Sequence, residues 1–346
     1  MKGPAFVKKD KYNVAVVGAS GAVGQEMVKI LEERDFPVEK LSLFGSERSE
    51  GKSAKFRNQK VTIQKLAIEP TSFDGFDLVL SSAGAFVSKQ FIPVAVERGA
   101  VVIDNTSAFR LDPAVPLVIP EINPEDIQKH KGIIANPNCT AAIMLVAVAP
   151  LHRKNRIKRI ICATYQSASG AGARAMQELE NQTRDYLEGK PLRKEVFPHQ
   201  IAFNLFSHDS PVSESGYNTE ELKVIQESKK ILHDDQIRIG ITCVRVPVMR
   251  AHSAAIYLEF ESKMTPREAR KILEDAPGVK VVDEPQKGHF PMPIEASGQD
   301  QVLVGRIRDD GSTENGLALF VSSDQLRKGA ALNAIQIAER LINIQR

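Results

Sequence analysis

Cysteine is scarce in this chain and widely scattered. Three thiols among 346 residues, Cys139, Cys162 and Cys243, have neither the even count nor the close spacing of a disulfide framework or a metal site. Reduced thiols, no bound metal and a cytoplasmic setting are the expectation. Long apolar runs are also missing. The longest, Ile143–Leu151, is interrupted by Pro150 and followed by His152-Arg153-Lys154, far short of the roughly 20 residues a membrane span needs. No apolar stretch follows the early charges Lys2, Lys8, Lys9 and Asp10, so we expect no secretory leader and assign no role to Met1–Asp10. A net charge of only +3, with no basic aromatic patch, argues against nucleic acid as a partner. Internal repeats and low-complexity segments are absent.

What the chain does have is rhythm. Over the first 140 residues, short apolar runs at Asn13–Val17, Lys40–Phe44, Asp77–Ser81, Ala100–Ile103 and Gly132–Ala135 alternate with amphipathic stretches at Gly24–Glu33 and Ser88–Arg98. Strand, helix, strand at this spacing predicts an α/β fold with a doubly wound parallel sheet, Rossmann-like. Beyond Cys139 the pattern changes. A helix over Thr140–Pro150 is followed by longer strands at Arg156–Ala163, Arg238–Val248, Ser253–Glu261, Gln301–Arg308 and Gly316–Ser323, with few helices between. That predicts an α+β domain with a largely antiparallel sheet. Phe197–Tyr217 reads as an irregular surface excursion. One amphipathic helix is expected over Lys328–Gln345, burying Ala331, Ala334, Ala338 and Leu341. The domain division expected is 1–138 with 328–346, and 139–327.

The first strand runs into Gly18-Ala19-Ser20-Gly21-Ala22-Val23-Gly24 and then a helix. Glycines permit a tight turn and close backbone approach, and a helix N-terminus offers free N–H groups to a pyrophosphate. The spacing is GxxGxxG, so the surrounding strand and helix carry much of the specificity. We assign Gly18, Ser20, Gly21, Ala22 and Val23 to a dinucleotide. After the second strand stand Ser46, Arg48 and Ser49, hydroxyls and a cation where an NAD enzyme tends to place a carboxylate; they favour the 2′-phosphate of NADP. Glu47 among them complicates this unless it faces solvent.

Asn136-Pro137-Asn138-Cys139 follows a strand and precedes an apolar helix. A thiol in a helix's first turn is stabilised as thiolate, the nucleophile needed to form a thioester. In the strand around Gly240–Val248, Ile241, Cys243 and Arg245 share one face. A half-buried arginine there requires an anion, either a substrate carboxylate or an internal acid. Asn218 and Glu221 have capping-box spacing, leaving Glu220 and Lys223, three apart, as a functional pair or a simple surface ion pair.

Taken together, the glycine loop, Asp104–Arg110, Asn136–Cys139, Gln166–Gly172, Arg245–His252 and Lys328–Ala338 resemble the aspartate-semialdehyde dehydrogenase family, in order and from about Val14 to the last helix. The resemblance implies Cys139 as acyl-accepting nucleophile with Asn138 beside it, His252 as general acid–base and Gln166 orienting the thioester. It implies Arg245 on the substrate carboxylate, Glu220 on its ammonium, Arg110 and Lys223 on phosphate, and Ser169, Gly170 and Asn333 at the nicotinamide. NADP as cofactor, aspartyl phosphate, aspartate semialdehyde and phosphate as ligands, and a homodimer built through the second domain follow from the same resemblance. So does a place in lysine, threonine and methionine biosynthesis. Two departures stand out: Ser20 replaces a threonine common in the family, and Ala85-Phe86 replace a glycine and a small polar residue, which excludes Phe86 from the binders. The alternatives are an N-acetyl-glutamyl-phosphate reductase, which needs no clamp for a free ammonium, and a non-catalytic dinucleotide-binding protein.

Overall fold

A computed structural model describes residues 6–343. The chain divides into two compact units, one formed by the chain up to Asn138 together with the segment from Ala330 on, the other by Cys139–Gly329.

The first unit is a seven-stranded sheet. Its strands are β1 (Tyr12–Val17), β2 (Val38–Gly45), β3 (Ser53–Phe56), β4 (Gln59–Lys65), β5 (Leu78–Ser81), β6 (Val101–Asp104) and β7 (Ile133–Ala135), in the order β3-β4-β2-β1-β5-β6-β7. All neighbours pair in parallel except β3 with β4. Helix α1 (Ala22–Glu33) and the C-terminal helix Leu332–Asn343 pack in one core with Val14, Val16, Leu78 and Ile103. Helix α2 (Ala85–Glu97) packs in another with Ala15, Val17, Val79 and Val102. Successive β1 side chains thus enter opposite layers, the signature of a doubly wound sheet. Order reverses between β1 and β5, so a crevice opens beyond their C-terminal ends. The antiparallel edge hairpin β3–β4 had no expectation in the sequence; its strands are short and polar, with only Phe56 and Ile63 buried.

The second unit opens with α3 (Cys139–Lys154) and contains α4 (Ala173–Leu187), α5 (Thr219–Leu232) and α6 (Pro266–Glu274). Its sheet has the order β12-β13-β14-β11-β8-β10-β9: β8 (Ile157–Gln166), β9 (Phe206–Ser207), β10 (Arg238–Arg245), β11 (His252–Phe260), β12 (Val279–Val281), β13 (Val302–Asp309) and β14 (Gly316–Ser323). Pairing is mostly antiparallel; β8–β10 and β12–β13 are parallel. One face carries α3, α5 and α6. On the other, Ile161, Tyr165 and Tyr257 remain exposed.

Several expectations need correction. Helix α3 does not stop at Pro150 but runs through it to Lys154. The lost N–H bond is local, while every residue from Thr140 to Ala149 is buried, and that packing outweighs it. The second unit holds more helix than its long strands suggested. Helix α4 is strongly polar and Glu-rich, so its narrow apolar stripe was easy to pass over. Phe197–Tyr217 is not simply surface: Phe197, Ile201 and Ala202 are buried against Ala175 and Leu179 of α4. The last helix is preceded by a π-helical turn, Arg327–Ala331. The four residues expected on its buried stripe, Ala331, Ala334, Ala338 and Leu341, are all buried; its final residues lie outside those described.

Candidate active site

The glycine turn of the first unit is built for close approach. Gly18 has φ +87°, and a Cβ there would meet Ser82 O at 2.5 Å; a Cβ on Gly24 would meet Gly18 O at 2.3 Å. Gly18 and Ala19 donate their N–H groups to Phe44 O at 2.9 and 3.0 Å, which ties the turn to the end of β2. No side chain caps the N-terminus of α1 and its first turn is free of acids, so its positive end is open to an anion. Beside it lies a cavity of about 410 Å³ lined by Gly18, Ser20, Gly21, Ser46, Glu47 and Lys65, among others. Glycines where any Cβ would collide, next to an acid-free helix start, fit a dinucleotide pyrophosphate.

Of the predicted cofactor residues, Gly18, Ser20, Gly21 and Ser46 line this cavity. Ser49 is buried beneath it, its Oγ 2.8 Å from Ser20 Oγ, so it fixes that hydroxyl in place. Ala22 and Val23 form the first turn of α1, and Val23 packs on the core. Arg48 points to solvent. Lys65 at the end of β4 was missed: its Nζ donates to Glu47 Oε1 at 3.1 Å, neutralising the carboxylate that complicated the 2′-phosphate argument. Phe86 is exposed and does not line the cavity.

Within the first unit, an asparagine network braces the loop around Asn136. Asn136 Nδ2 donates to Asn105 Oδ1 at 2.7 Å, and Arg110 donates to Asn136 O at 2.8 Å and Asn105 O at 2.7 Å. Asn333 Nδ2 donates to Asn136 Oδ1 at 2.6 Å and to Val118 O at 2.9 Å. Asn333 is thereby tied to the loop that precedes Cys139. Its amide nitrogen is buried and has both hydrogens occupied, so it braces the loop. Arg110 likewise holds backbone carbonyls with two of its nitrogens. Asn138, next to the thiol, is buried.

Cys139 is the first residue of α3, partly exposed, while the other two thiols are buried. Burial pushes the Cys162 thiol up to about 12 and the Cys243 thiol higher still; both are inert core sulfurs. Gln166, at the end of β8, donates to Thr140 Oγ1 at 2.8 Å, which places its amide over the first turn of α3. Arg245 is buried at the end of β10; it donates from Nε to Asp209 at 3.1 Å and lies over the Phe197 ring at 5.6 Å. Gly170 lies against it and His252: a Cβ there would meet Arg245 Nη1 at 3.0 Å and His252 Cε1 at 2.9 Å. Asn218 and Glu221 form the capping box, and Glu221 also accepts from Cys243 N–H at 2.9 Å. Glu220 is buried with Lys223 Nζ 3.8 Å away. The Ser169 hydroxyl is enclosed by Ser167 and Gln325.

His252 is buried, and desolvation first, then the charges of Arg245 and His208, hold its pKa well below the usual 6.5. His208 and Asp209 were hidden in the segment read as surface excursion. They reach Arg245 because His208 N–H bonds Cys243 O, locking the segment to β10. No periodicity announces such a pairing.

A dinucleotide-binding parallel sheet in one unit and, in the other, a helix that opens on an accessible cysteine with buried histidine, arginine and glutamine on that unit's sheet define a thiol-dependent oxidoreductase class. Residues 13–130 match the family described as semialdehyde dehydrogenase, NAD binding domain, and residues 148–328 the one described as semialdehyde dehydrogenase, dimerisation domain. The chain is 54% identical to the aspartate-semialdehyde dehydrogenase of Synechocystis over 95% of this chain and 97% of that one. The solved aspartate semialdehyde dehydrogenase II of Vibrio cholerae, complexed with ASA, superposes with a TM-score of 0.93 at 42% identity, covering 97% of this chain and 99% of that one. The Candida albicans enzyme solved with NADP gives 0.74 at 25% identity, covering 96% and 98%. This chain belongs to the aspartate-semialdehyde dehydrogenase family and is a nicotinamide-dinucleotide oxidoreductase. These likenesses support that reading rather than the acetylglutamyl-phosphate or non-catalytic alternatives. Among the described residues no helix is long and apolar enough to cross a membrane.

Proposed function

We propose that the protein reduces L-aspartyl 4-phosphate to L-aspartate 4-semialdehyde with NADPH, through a thioester on Cys139. The observation that carries this is the placement of Cys139 as the accessible thiol that opens a buried helix, while Cys162 and Cys243 are sealed in the core. The helix start favours its thiolate. The thiolate attacks the acyl carbon, a C–S bond forms and the C–O bond to phosphate breaks. When bound, the dinucleotide supplies a hydride to the thioester carbonyl. Collapse of the resulting adduct breaks the C–S bond, restores the thiolate and frees the aldehyde.

The other residues bind and orient. Arg245, its Nε edge held by Asp209, is placed to grip the substrate α-carboxylate with its remaining nitrogens, as a planar fork does best. In this reading Glu220 meets the ammonium, Lys223 the leaving phosphate and Gln166 the acyl oxygen, while His252 serves the reacting oxygen as acid–base. NADP is favoured over NAD by Ser46, the Ser49-anchored Ser20 and the cation Lys65 at the cavity, together with the Candida relative solved with NADP. The exposed sheet face bearing Ile161, Tyr165 and Tyr257 is the surface we assign to a homodimer, in keeping with the dimerisation-domain match. Three cysteines outside any disulfide fit a reducing, cytoplasmic setting.

The test is Cys139→Ala. Phosphate-dependent oxidation of aspartate semialdehyde with NADP should disappear, while NADPH binding by fluorescence titration stays within about twofold. Turnover near the wild-type rate would remove the thioester from the mechanism.

A further inference from the structure

His252 has two ring nitrogens in opposite circumstances. Nδ1 accepts from the backbone N–H of Ser167 at 3.1 Å and lies 3.0 Å from Ser167 Oγ. A backbone N–H only donates, so Nδ1 bears the lone pair and the neutral ring carries its hydrogen on Nε2.

A second set of contacts leads to the same tautomer. The Ala251 N–H donates to Gln325 Oε1 at 2.9 Å, which fixes the orientation of that amide. Gln325 Nε2 then donates to Ser169 Oγ, and Ser169 Oγ lies 3.0 Å from Ser167 Oγ. If Ser167 donated to Ser169, the Ser169 hydrogen would have no acceptor. Ser167 Oγ also lies 3.5 Å from Gln325 Oε1, but its contact with Nδ1 is much shorter at 3.0 Å, so the favoured path takes the hydrogens from Gln325 to Ser169 to Ser167 and into Nδ1. At the far side of the ring, Nε2 is buried without a hydrogen-bond partner. It lies against Gly170, where a Cβ would come within 3.0 Å of it. A buried donor left unpaired by the protein is one kept for a ligand atom. Arg245 of β10 and His208 after β9 face this ring, and with burial they keep it neutral near pH 7.

We propose that Gln325 and Ser169 are positioning residues: through Ser167 they lock His252 as the Nε2–H tautomer, so that in its resting state it is a hydrogen-bond donor to the reacting substrate oxygen and not a base. This rests on the role given to His252 above. Gly170 is then required because its missing side chain leaves that oxygen room beside Nε2.

Histidine-selective 15N spectra of the full-length protein locate the proton, with His252→Asn identifying the signal. The expected result at neutral pH is a protonated Nε2 and a bare Nδ1. Gln325→Glu keeps the shape and the contact to Ala251 but replaces the donor by an anion. It should reverse the relay, raise the His252 titration by about one pH unit and move the acidic limb of the kcat profile with it. Ser169→Thr should keep the wild-type spectrum. A hydrogen on Nδ1 in the wild type, or an unchanged ring titration in Gln325→Glu, overturns the relay. Full turnover by His252→Asn would instead remove His252 from the reaction, and the spectrum would still report the tautomer.

Discussion

Gly329 presses directly on Cys139, the nucleophile proposed above. A Cβ at Gly329 would lie 2.8 Å from Cys139 Cβ and 3.2 Å from its Cα, closer than packed atoms tolerate. The π-helical turn Arg327–Ala331 carries that glycine, and such one-turn irregularities often accompany functional sites. Gly329→Ala must therefore push either the turn or the cysteine aside. We expect kcat to fall roughly 100-fold from misplacement of the sulfur, with a much smaller loss of thermal stability. Steady-state kinetics alongside a melting curve checks this; unchanged kcat would show that the turn yields and the thiol stays.

At the cavity beside the glycine turn, Glu47 and Lys65 form an exposed pair next to the position proposed for the 2′-phosphate. Lys65→Ala should weaken NADPH binding about fivefold and leave NADH unaffected, while Glu47→Ala should tighten NADPH by a similar factor. Both effects should shrink as salt rises. Fluorescence titrations of the two dinucleotides at low and high salt test the pair; equal changes for NADH would place these charges away from the phosphate.

Acid should destabilise the fold through its partly or fully desolvated histidines. His130, His152, His208 and His252 are all held below 6.5, with desolvation the leading cause in each. The unfolded chain then binds more protons than the folded one as pH falls from about 6.5 toward the folded values. Their contribution is complete above that range and is lost on acidification. His289 runs the other way, raised by Glu284 and Glu295, and offsets part of this. The melting temperature should therefore drop from pH 7 to pH 5. His152→Gln should flatten that drop, and a slope no different from wild type would exclude His152 as a contributor.

The sequence by itself determined what depends on neighbours along the chain. Alternating apolar runs specify the parallel unit, because period and length decide which faces are buried. Asn136-Pro137-Asn138-Cys139 puts a thiol at a helix start, and Asn218 with Glu221 makes a capping box, because each depends on residues a few positions apart. Arg245 was legible as a buried cation for the same reason, from its place on a strand face. What only the tertiary structure decided are the partners that distance in sequence conceals. Lys65 reaches Glu47 because β4 pairs beside β2, Asp209 meets Arg245 because a two-residue strand docks on β10, and Gln325 addresses His252 through two serines about 155 positions upstream of it. Asn333 bonds Asn136 and Val118, both far from it in sequence. A polar side chain takes its role from whichever donors and acceptors the fold brings within 3 Å, and that proximity is a property of the packed chain, not of its local pattern.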